Sequence, residues 1–579
     1  MSAPTRSHRS RDLMSLLIGI GCVLLVLFIG SFTRFRADLT SEKRYTLTPA
    51  TVELMDSLKD VVFLKVYLSG ELPADLRKLS EATRELLDEM RVHNPDMLQY
   101  EFVDPSAAPD EKTRNQTYAQ LQEEKLEYTS IRTKEKGAES ERIIWPCAML
   151  NYGGKSQPLQ LLRTQFRTPD ADMVNRSINN LEFEVASAIR KIISEYKPRV
   201  AFLEGHGELD ELSTKDLENA LAEQYDVKRV RINGQIGALS DKVDGGRYRA
   251  NKFEALIIAK PDSAFPEKDA YIIDQFIMNG GRVLWAVDAM NANLDSLRAK
   301  QYSIATPLEL GIDKLLFAYG TRLNKDLLLD RQCAPIQIMG APYGNQRKLE
   351  TRPFPFEPVV VPRSTHPVVN NIDPVHFKFV GSIDTIGLDS ARSTILLTSS
   401  PYTRVQRNPV RISLAVVDEI ARMGKSNTPD RPVAVLTDGV FRSAFADRLV
   451  MTDSLKKAMG HRETGRKNAM IVVSDGDAMA NLVDREKGKY YMLGFDRLAG
   501  TKVYGNREFF VNAMNYLLND KSLISLRSRT ISLRQLDPER TSGERGFWQA
   551  VNIGLPVLLS ILGGLVFFAL RRRRYATIA

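Results

Sequence analysis

The side chains best suited to chemistry in this sequence lie in the pentapeptide Glu204-Gly205-His206-Gly207-Glu208. An imidazole flanked by carboxylates has the residue types of a metal site or of general acid–base catalysis. The pentapeptide follows residues 200–203, an apolar run typical of a buried strand, and ligand sites in open α/β sheets lie at the carboxyl ends of strands. A strand-to-helix turn explains the same residues, because glycines allow positive φ and polar side chains cap the next helix. We favour the turn, since the sequence offers no partner motif for the cluster.

Two further acidic turns occupy similar positions. Asp475-Gly476-Asp477 follows the apolar run 469–473, and Asp438-Gly439 follows the apolar run 433–436. Two carboxylates at one turn could bind a cation, but a tight turn with Asx hydrogen bonds accounts for them as well. Repetition of the pattern favours the architectural explanation, so we predict no catalytic, cofactor or metal-binding residue. The candidate edge for a ligand or partner comprises Glu204, His206, Glu208, Asp438, Asp475 and Asp477.

The motif for nucleotide hydrolysis is incomplete. A phosphate-binding loop needs the pattern GxxxxGK[ST], whose glycines let backbone N–H groups surround phosphate. Gly424-Lys425-Ser426 has Glu419 in place of the first glycine, and Gly154-Lys155-Ser156 has Met149 there. The sequence therefore does not predict that this chain hydrolyses ATP.

Cys147 and Cys333 are not placed like nucleophiles. Their contexts are Trp145-Pro146-Cys147 and Gln332-Cys333-Ala334-Pro335, whereas a nucleophilic elbow is flanked by glycines. Spacing alone leaves two alternatives open, a disulfide on the extracytoplasmic side or two buried free thiols.

The elements that would position these residues alternate between strands and helices. Residues 61–68 and 98–103 are predicted strands around a helix at 74–93, which indicates a small α/β unit, and a helix at 178–196 ends a first domain spanning 33–196. From residue 197 to 525, apolar strands alternate with helices, which predicts a doubly wound parallel sheet. An insertion of loops and antiparallel strands is expected at about 310–430.

Two apolar segments frame this α/β region. Residues 13–32 and 547–570 carry no charge and are long enough to cross a hydrocarbon core. A cleaved signal peptide is the alternative for the first, although its apolar region would be shorter. The positive-inside rule places the tails 1–12 and 571–579 in the cytoplasm, because arginines flank both segments. Residues 33–546, with a linker at 526–546, would then lie on the other side of the membrane.

The net charge agrees with this topology. The 579 residues include 80 Lys and Arg against 71 Asp and Glu, a formal charge of +9. Such a basic balance raises the question of nucleic-acid binding. Six of the nine charges lie in the two short tails, so the charge is chiefly topological and we expect no nucleic-acid partner. Three cysteines also exclude a disulfide-dense scaffold.

Several short segments, taken in order, resemble the GldG-like auxiliary component of gliding-motility-associated ABC transporters. They include DLTSEKRYTL at 38–47, YEFVDP at 100–105, FLEGHGE at 202–208 and SDGD at 474–477. The resemblance implies a thioredoxin-like first domain and a second domain similar to class I amidotransferases without their catalysis. It also implies a bacterial inner-membrane location, a periplasmic region at 33–546, no cofactor, and partnership with a separate permease and ATPase.

We therefore expect a non-enzymatic, membrane-anchored accessory subunit of an ABC transporter, whose ectodomain binds a partner or cargo. The alternative is a membrane-anchored hydrolase or amidotransferase-like enzyme that acts at the sheet edge around His206. The sequence leaves the cargo, the transport direction and homo-oligomerisation open.

Overall fold

The computed structural model describes residues 14, 16–25, 28, 46–108, 110–135, 138–162, 170–194, 196–243, 248–297, 301–343, 346–446, 460–518 and 543–576. The chain divides into two units, residues 1–530 and 531–579. The predicted tail 1–12, most of the linker 526–546, and the ends of the apolar segment 13–32 lie outside the described residues.

The N-terminal part of the larger unit is built on a four-stranded sheet. Its strand order is β2-β1-β5-β6, with β1 parallel to β2 and antiparallel to β5, and with β5 antiparallel to β6. The elements are helices α1 (Leu16–Leu25), α2 (Pro49–Asp56), α3 (Ala74–His93), α4 (Glu111–Glu123) and α5 (Asp170–Ile193), and strands β1 (Val62–Val66), β2 (Leu98–Phe102), β3 (Thr129–Glu135), β4 (Ala138–Ile144), β5 (Cys147–Tyr152) and β6 (Lys155–Gln160).

Apolar periodicity explains how these elements pack. In β1, Val62, Leu64 and Val66 alternate with less buried residues, as in a strand with one covered face. In α3, Leu79 and Leu87 lie on the helix face that packs against the same core. The strands predicted at 61–68 and 98–103 and the helix at 74–93 are thus present.

Two hairpins complete this region. β5 and β6 form one across Gly153-Gly154, and β3 and β4 form the other, while β5 also pairs with β1. The polar stretch 105–142 contains α4 and most of the β3–β4 hairpin. Its polar composition hid this hairpin from apolar pattern analysis.

The larger, C-terminal part of this unit contains most of the strands. Its first elements are β7 (Arg199–Glu204), α6 (Glu211–Ala222), β8 (Asp226–Arg231), β9 (Ser240–Val243), β10 (Tyr248–Asn251), β11 (Ala255–Ala259), α7 (Glu267–Met278), β12 (Arg282–Ala286), β13 (Met290–Asn291), β14 (Tyr302–Pro307), α8 (Asp313–Ala318), β15 (Thr321–Leu323) and β16 (Asp326–Asp330). They are followed by β17 (Cys333–Tyr343), β18 (Gln346–Val360), β19 (Val375–His376), β20 (Ile383–Thr385), β21 (Ala391–Thr398), β22 (Thr403–Arg407), β23 (Val410–Ser413), β24 (Pro432–Arg442), β25 (Thr464–Val473), β26 (Val483–Asp484), β27 (Lys489–Tyr490), β28 (Phe495–Asp496), β29 (Thr501–Lys502) and α9 (Asn506–Leu518).

Seven of these strands form one sheet in the order β21-β24-β25-β12-β11-β7-β8. The five strands from β25 to β8 are parallel. Helix α7 packs on one face of the sheet, whereas α6 and α9 pack on the other. Successive residues of β11 point to opposite faces: Leu256 lies in the core beneath α7, and Ile257 lies in the core beneath α6 and α9. The sheet is therefore doubly wound, as predicted for an α/β region of this pattern.

The predicted sheet differs from the observed one at one side. Residues 433–436 form a buried strand, as their apolar run predicts, but β24 runs antiparallel to β25 although the sheet was predicted to be parallel. The insertion at about 310–430 does contain antiparallel strands, and one of them, β21, joins the main sheet at its edge. A short apolar run predicts burial but carries no information on strand direction, which explains the difference.

The smaller unit contains helix α10, Arg545–Ala576. Its portion Arg545–Leu570 is long and apolar enough to cross a membrane by length and composition. Near the other end of the chain, the described apolar helix α1 covers ten residues, fewer than a span needs. The predicted segment 547–570 thus coincides with a candidate membrane helix.

Candidate functional site

The carboxyl edge of the parallel sheet collects the turns that follow β7, β11, β12 and β25. The register aligns Ala259 with Ala286 and Ala286 with Val473, so these three strands end level with one another. The next residues in each turn are therefore neighbours in space. This register is what brings Lys260, Asp288 and Asp475 to one place.

His206 is held at this edge by two carboxylates. Its Nδ1 lies 3.0 Å from Glu208 Oε1, and its Nε2 lies 3.0 Å from Asp269 Oδ2 on helix α7. The His206 backbone N–H also donates to Glu208 Oε2 at 2.7 Å, and the ring stacks on Phe265 with centroids 4.0 Å apart. His206 is 3% exposed, so this triad is almost completely buried.

The protonation of the triad follows from its contacts. Burial would lower the pKa of His206, but the hydrogen bonds and charges of Glu208 and Asp269 raise it overall. Burial would likewise raise the pKa of Glu208, yet its hydrogen bonds to the His206 ring and backbone lower it. Both shifts favour the charged forms, an imidazolium at His206 and a carboxylate at Glu208.

The triad ties together segments that are distant in sequence. Asp269 Oδ1 accepts a hydrogen bond from Gly234 N at 2.6 Å, and His206 O accepts from Asp262 N and Ser263 N at 3.0 Å. Gly207 has φ +76°, and a Cβ atom there would lie 1.6 Å from Asp262 Oδ1, so only glycine fits. With both ring nitrogens engaged and little exposure, His206 joins three loops and a helix and has no open ring position for a substrate.

A second polar cluster lies at the ends of β11, β12 and β25. Lys260 pairs with Asp477 and lies 3.7 Å from Asp288 Oδ2. Asp475 accepts from Asp477 N at 2.8 Å and from Lys378 N at 2.5 Å, while Asp288 accepts from Gly476 N at 2.6 Å. A Cβ on Gly476 would lie 2.4 Å from Lys260 Cβ, so the glycine permits this close approach.

The cluster carries more negative than positive charge. Burial and then the charge of Asp477 raise the pKa of Asp288 to about 6. Burial and the neighbouring Asp288 raise the pKa of Asp475 well above its ordinary value. Burial would lower the pKa of Lys260, but the adjacent aspartates raise it. Among the described residues, no group of three or more His, Cys, Asp and Glu side chains is arranged to hold a metal ion.

The remaining predicted site residues lie elsewhere. Glu204 pairs with Arg229 at 2.8 Å and with Arg231 at 3.2 Å on the edge strand β8. Asp438 lies inside β24 opposite Ala469, four register positions from Val473 and thus about 13 Å from the carboxyl edge. The expectation of a turn at Asp438-Gly439 like that at Asp475 was wrong, because β24 continues to Arg442 and runs in the opposite direction.

Cys147 and Cys333 lie in the α/β region, and neither is a reactive thiol. Cys147 and Cys333 are both free, which argues against the disulfide, but only Cys147 is buried, whereas Cys333 is partly exposed. Burial raises the pKa of each thiol to about 12, so neither provides a reactive thiolate at neutral pH.

Three residues at this edge were not among the predicted site residues, namely Lys260, Asp269 and Asp288. Lys260 and Asp288 directly follow predicted strands, so the rule that parallel strands end at one edge could have placed them there. Asp269 lies in the first turn of a helix, where an acidic residue has an ordinary capping explanation. Nothing in its local sequence indicates a bond to His206.

The structure is that of an α/β protein with a candidate membrane helix near its C-terminus and with ion pairs at the carboxyl edge of its main sheet. The chain belongs to the family described as "ABC-type uncharacterized transport system", whose model matches residues 197–513, more than half of the chain. This is a family of auxiliary components of ABC transport systems. Residues 41–151 match a domain of unknown function, DUF7088.

Two further similarities are weaker. An uncharacterized protein of Borreliella burgdorferi (strain ATCC 35210 / DSM 4680 / CIP 102532 / B31) is 20% identical over 345 residues, which cover 58% of this chain and 59% of that protein. Among solved structures, the mmIFT52 N-terminal domain aligns over 56% of this chain and 98% of its own, with 12% identity and a TM-score of 0.28. A TM-score this low does not establish a shared fold.

Proposed function

We propose that this chain is a non-enzymatic, membrane-anchored accessory subunit of a gliding-motility-type ABC transporter. Its ectodomain binds a partner or cargo, while a separate permease and ATPase carry out transport. The observation that carries this proposal is membership of the ABC transport auxiliary family over residues 197–513. The ordered segments of GldG-like sequence support the finer assignment to the gliding-motility type.

The finer assignments of the two domains rest on topology and sequence. The order β2-β1-β5-β6, with one parallel and two antiparallel pairings, supports a thioredoxin-like first domain. The doubly wound sheet with ion pairs at its carboxyl edge supports an amidotransferase-like second domain that has no catalysis.

The hydrolase alternative meets an obstacle at His206. A general base needs a ring nitrogen within reach of substrate, whereas each His206 nitrogen lies 3.0 Å from a carboxylate. The ring is also covered by Phe265. These contacts favour a structural role for the residue that the alternative would make catalytic.

Purification in mild detergent tests the accessory role. The full-length chain is expected to retain a permease and an ATPase subunit in near-equal amounts, because accessory subunits function in a stable membrane complex. The measurement is quantitative mass spectrometry of the purified complex, with a membrane protein of unrelated function as the control. Recovery of the chain alone, from cells that express both other subunits, would refute the role.

We also propose that residues 13–32 and 547–570 span the bacterial inner membrane, with both tails in the cytoplasm and residues 33–546 in the periplasm. Green fluorescent protein fused after Ala579 is then expected to fluoresce, and alkaline phosphatase at the same point to be inactive, because the four arginines at 571–574 stay cytoplasmic. A green fluorescent protein fusion that does not fluoresce, together with an active alkaline phosphatase fusion, would contradict this topology.

A further inference from the structure

The N-terminal and C-terminal parts of the larger unit have separate hydrophobic cores. The buried apolar side chains of the N-terminal part lie between residues 47 and 192 and form clusters of their own. Those of the C-terminal part lie between residues 200 and 517. Within the described residues, no strand from β1 to β6 pairs with a strand from β7 onward. Neither a core nor a sheet of the described residues therefore joins the two parts.

The two parts meet at a polar boundary, where helix α5 faces the ends of α6 and α9. A cavity of about 70 Å³ lies at this boundary. Its polar lining residues are Ser187, Arg190 and Lys191 on α5 and Glu223, Gln224 and Asn515 in the C-terminal part. Domains that share only a small polar interface move relative to one another by default, whereas a large apolar interface would fix them. The boundary thus has the character of a movable contact.

The chain crosses this boundary after α5, and the C-terminal part binds the crossing chain. The Tyr196 hydroxyl donates to Glu254 Oε1 at 2.9 Å, and Arg199 N donates to Glu254 Oε2 at 2.6 Å. Lys197 Nζ donates to Ala222 O at 2.9 Å. From Tyr196 onward the chain is therefore attached to the C-terminal part, which places any rotation at the carboxyl end of α5.

An ion pair bridges the boundary close to this end. Lys191 Nζ, in the last turn of α5, lies 3.0 Å from Glu223 Oε2, directly after α6. The two side chains are 22% and 50% exposed, so solvent screens the pair and its attraction is weak. Lys191 lies within about 8 Å of the rotation point at ~1.5 Å per residue. A rotation of about 30° would move it by about 4 Å and break the pair.

We propose that the N-terminal part rotates as a rigid body about the carboxyl end of α5, and that the Lys191–Glu223 pair is the latch of the docked arrangement seen in the structure. Because the latch is screened by solvent, the docked and rotated arrangements differ little in free energy and both are populated. A rotation of about 30° moves the start of α5 by about 17 Å, since ~22 residues of helix are about 33 Å long. This inference does not rest on the proposed function.

The test is the distance between two spin labels on the full-length chain in detergent, measured by double electron–electron resonance. The labels are attached at Asp172→Cys, in the first turn of α5, and at Glu267→Cys, in the first turn of α7, both at exposed positions. Cys22→Ser and Cys333→Ser remove the accessible native thiols, and Cys147 is buried. The chain with native Lys191 and Glu223 is expected to give one main distance and a minor component of about 10% or less.

Reversing one charge of the latch should change these proportions. Lys191→Glu places two carboxylates opposite each other, and the minor component is expected to rise about three- to tenfold. Adding Glu223→Lys recreates an ion pair of reversed polarity and should restore the original proportions. Lys215→Glu is the matched control, because Lys215 pairs with Glu211 at 2.6 Å within α6 at similar exposure. This control should leave the distances unchanged.

Three results would overturn the proposal. They are an unchanged distribution in Lys191→Glu, a change that Glu223→Lys does not reverse, and an equal change in Lys215→Glu, which would reflect net charge rather than the latch. The latch lies outside both cores, so its variants should keep the thermal midpoint of the parent chain within about 2 °C. The measurement requires neither permease nor ATPase, so its outcome is independent of whether they co-purify.

Discussion

Replacing His206 by alanine is expected to lower the free energy of unfolding of the large α/β domain by about 3–5 kcal/mol, the usual cost of removing one partner of a buried ion pair. Glu208 and Asp269 would remain buried without their shared cation, at 1% and 5% side-chain exposure. The loop after β7 would also lose its contact to helix α7. Few single substitutions outside the core have so large an effect.

Urea denaturation followed by circular dichroism measures this loss. His93→Ala is the matched control, because His93 is exposed at the end of α3 and should change stability by less than about 0.5 kcal/mol. A His206→Ala variant as stable as the control would show that the triad contributes nothing. Equal stability with loss of a transport phenotype would instead restore the catalytic alternative.

The stabilisation by His206 depends on pH in a specific direction. Because the folded protein raises the pKa of His206, this contribution is fully present below the ordinary value of 6.5 and is lost as pH rises through the folded value. The lowered pKa of Glu208 acts in the other direction, so its contribution is present above the ordinary 4.5 and is lost on acidification. The stability difference between wild type and His206→Ala should therefore be greatest between pH 4.5 and 6.5.

The residues of this triad show how far a sequence predicts a site. His206 and Glu208 are two positions apart, so their association follows from the turn itself. Asp269 is 63 residues further along the chain, and its contact depends on how α7 packs against the sheet. Local spacing carries no information on that packing, and the third member of the triad could only come from the structure.

The main sheet likewise has features that the sequence predicts and features that it does not. Apolar runs located β7, β11, β12 and β25, because strands covered on both faces are continuously hydrophobic. The fifth parallel strand, β8, lies at the edge of the sheet and has the charged sequence DVKRVR. The apolar start of β24 likewise predicted a buried strand, but it could not show that β24 runs antiparallel to β25. For this reason Asp438 was predicted at the carboxyl edge of the sheet, whereas it lies inside β24. The β3–β4 hairpin was missed because its strands, Thr129–Glu135 and Ala138–Ile144, are mostly polar.

The second large effect on stability is expected in the polar cluster around Lys260. Lys260→Met keeps most of the side-chain volume but removes the cation that faces Asp288, Asp475 and Asp477. Unfolding free energy at pH 8 is expected to fall by about 3 kcal/mol, because buried carboxylates lose their compensating charge. Lys260 is 28% exposed and Asp288 13% exposed, so solvent screens this interaction only in part. Lys252→Met is the control, since its pair with Asp241 is on the surface and should contribute less than about 1 kcal/mol.

Acidification should partly reverse the effect of Lys260→Met. Asp288 already has its pKa raised to about 6 in the folded protein, so the folded state takes up this proton more readily than the unfolded state. The stability contributed by its neutral form is present at low pH and is lost as pH rises from the ordinary value toward 6. Without Lys260, this neutral form is favoured further, and the loss measured by urea denaturation at pH 5 should be clearly smaller than at pH 8.

A second-site change separates charge repulsion from lost packing. Asp288→Asn removes one carboxylate while its amide oxygen can still accept from Gly476 N. In the Lys260→Met background it should restore a large part of the lost stability at pH 8 and little at pH 5, where Asp288 is already protonated. Equal losses at the two pH values, without suppression by Asp288→Asn, would mean that Lys260 stabilises the edge by packing. In that case the excess negative charge of the cluster would have no measurable cost.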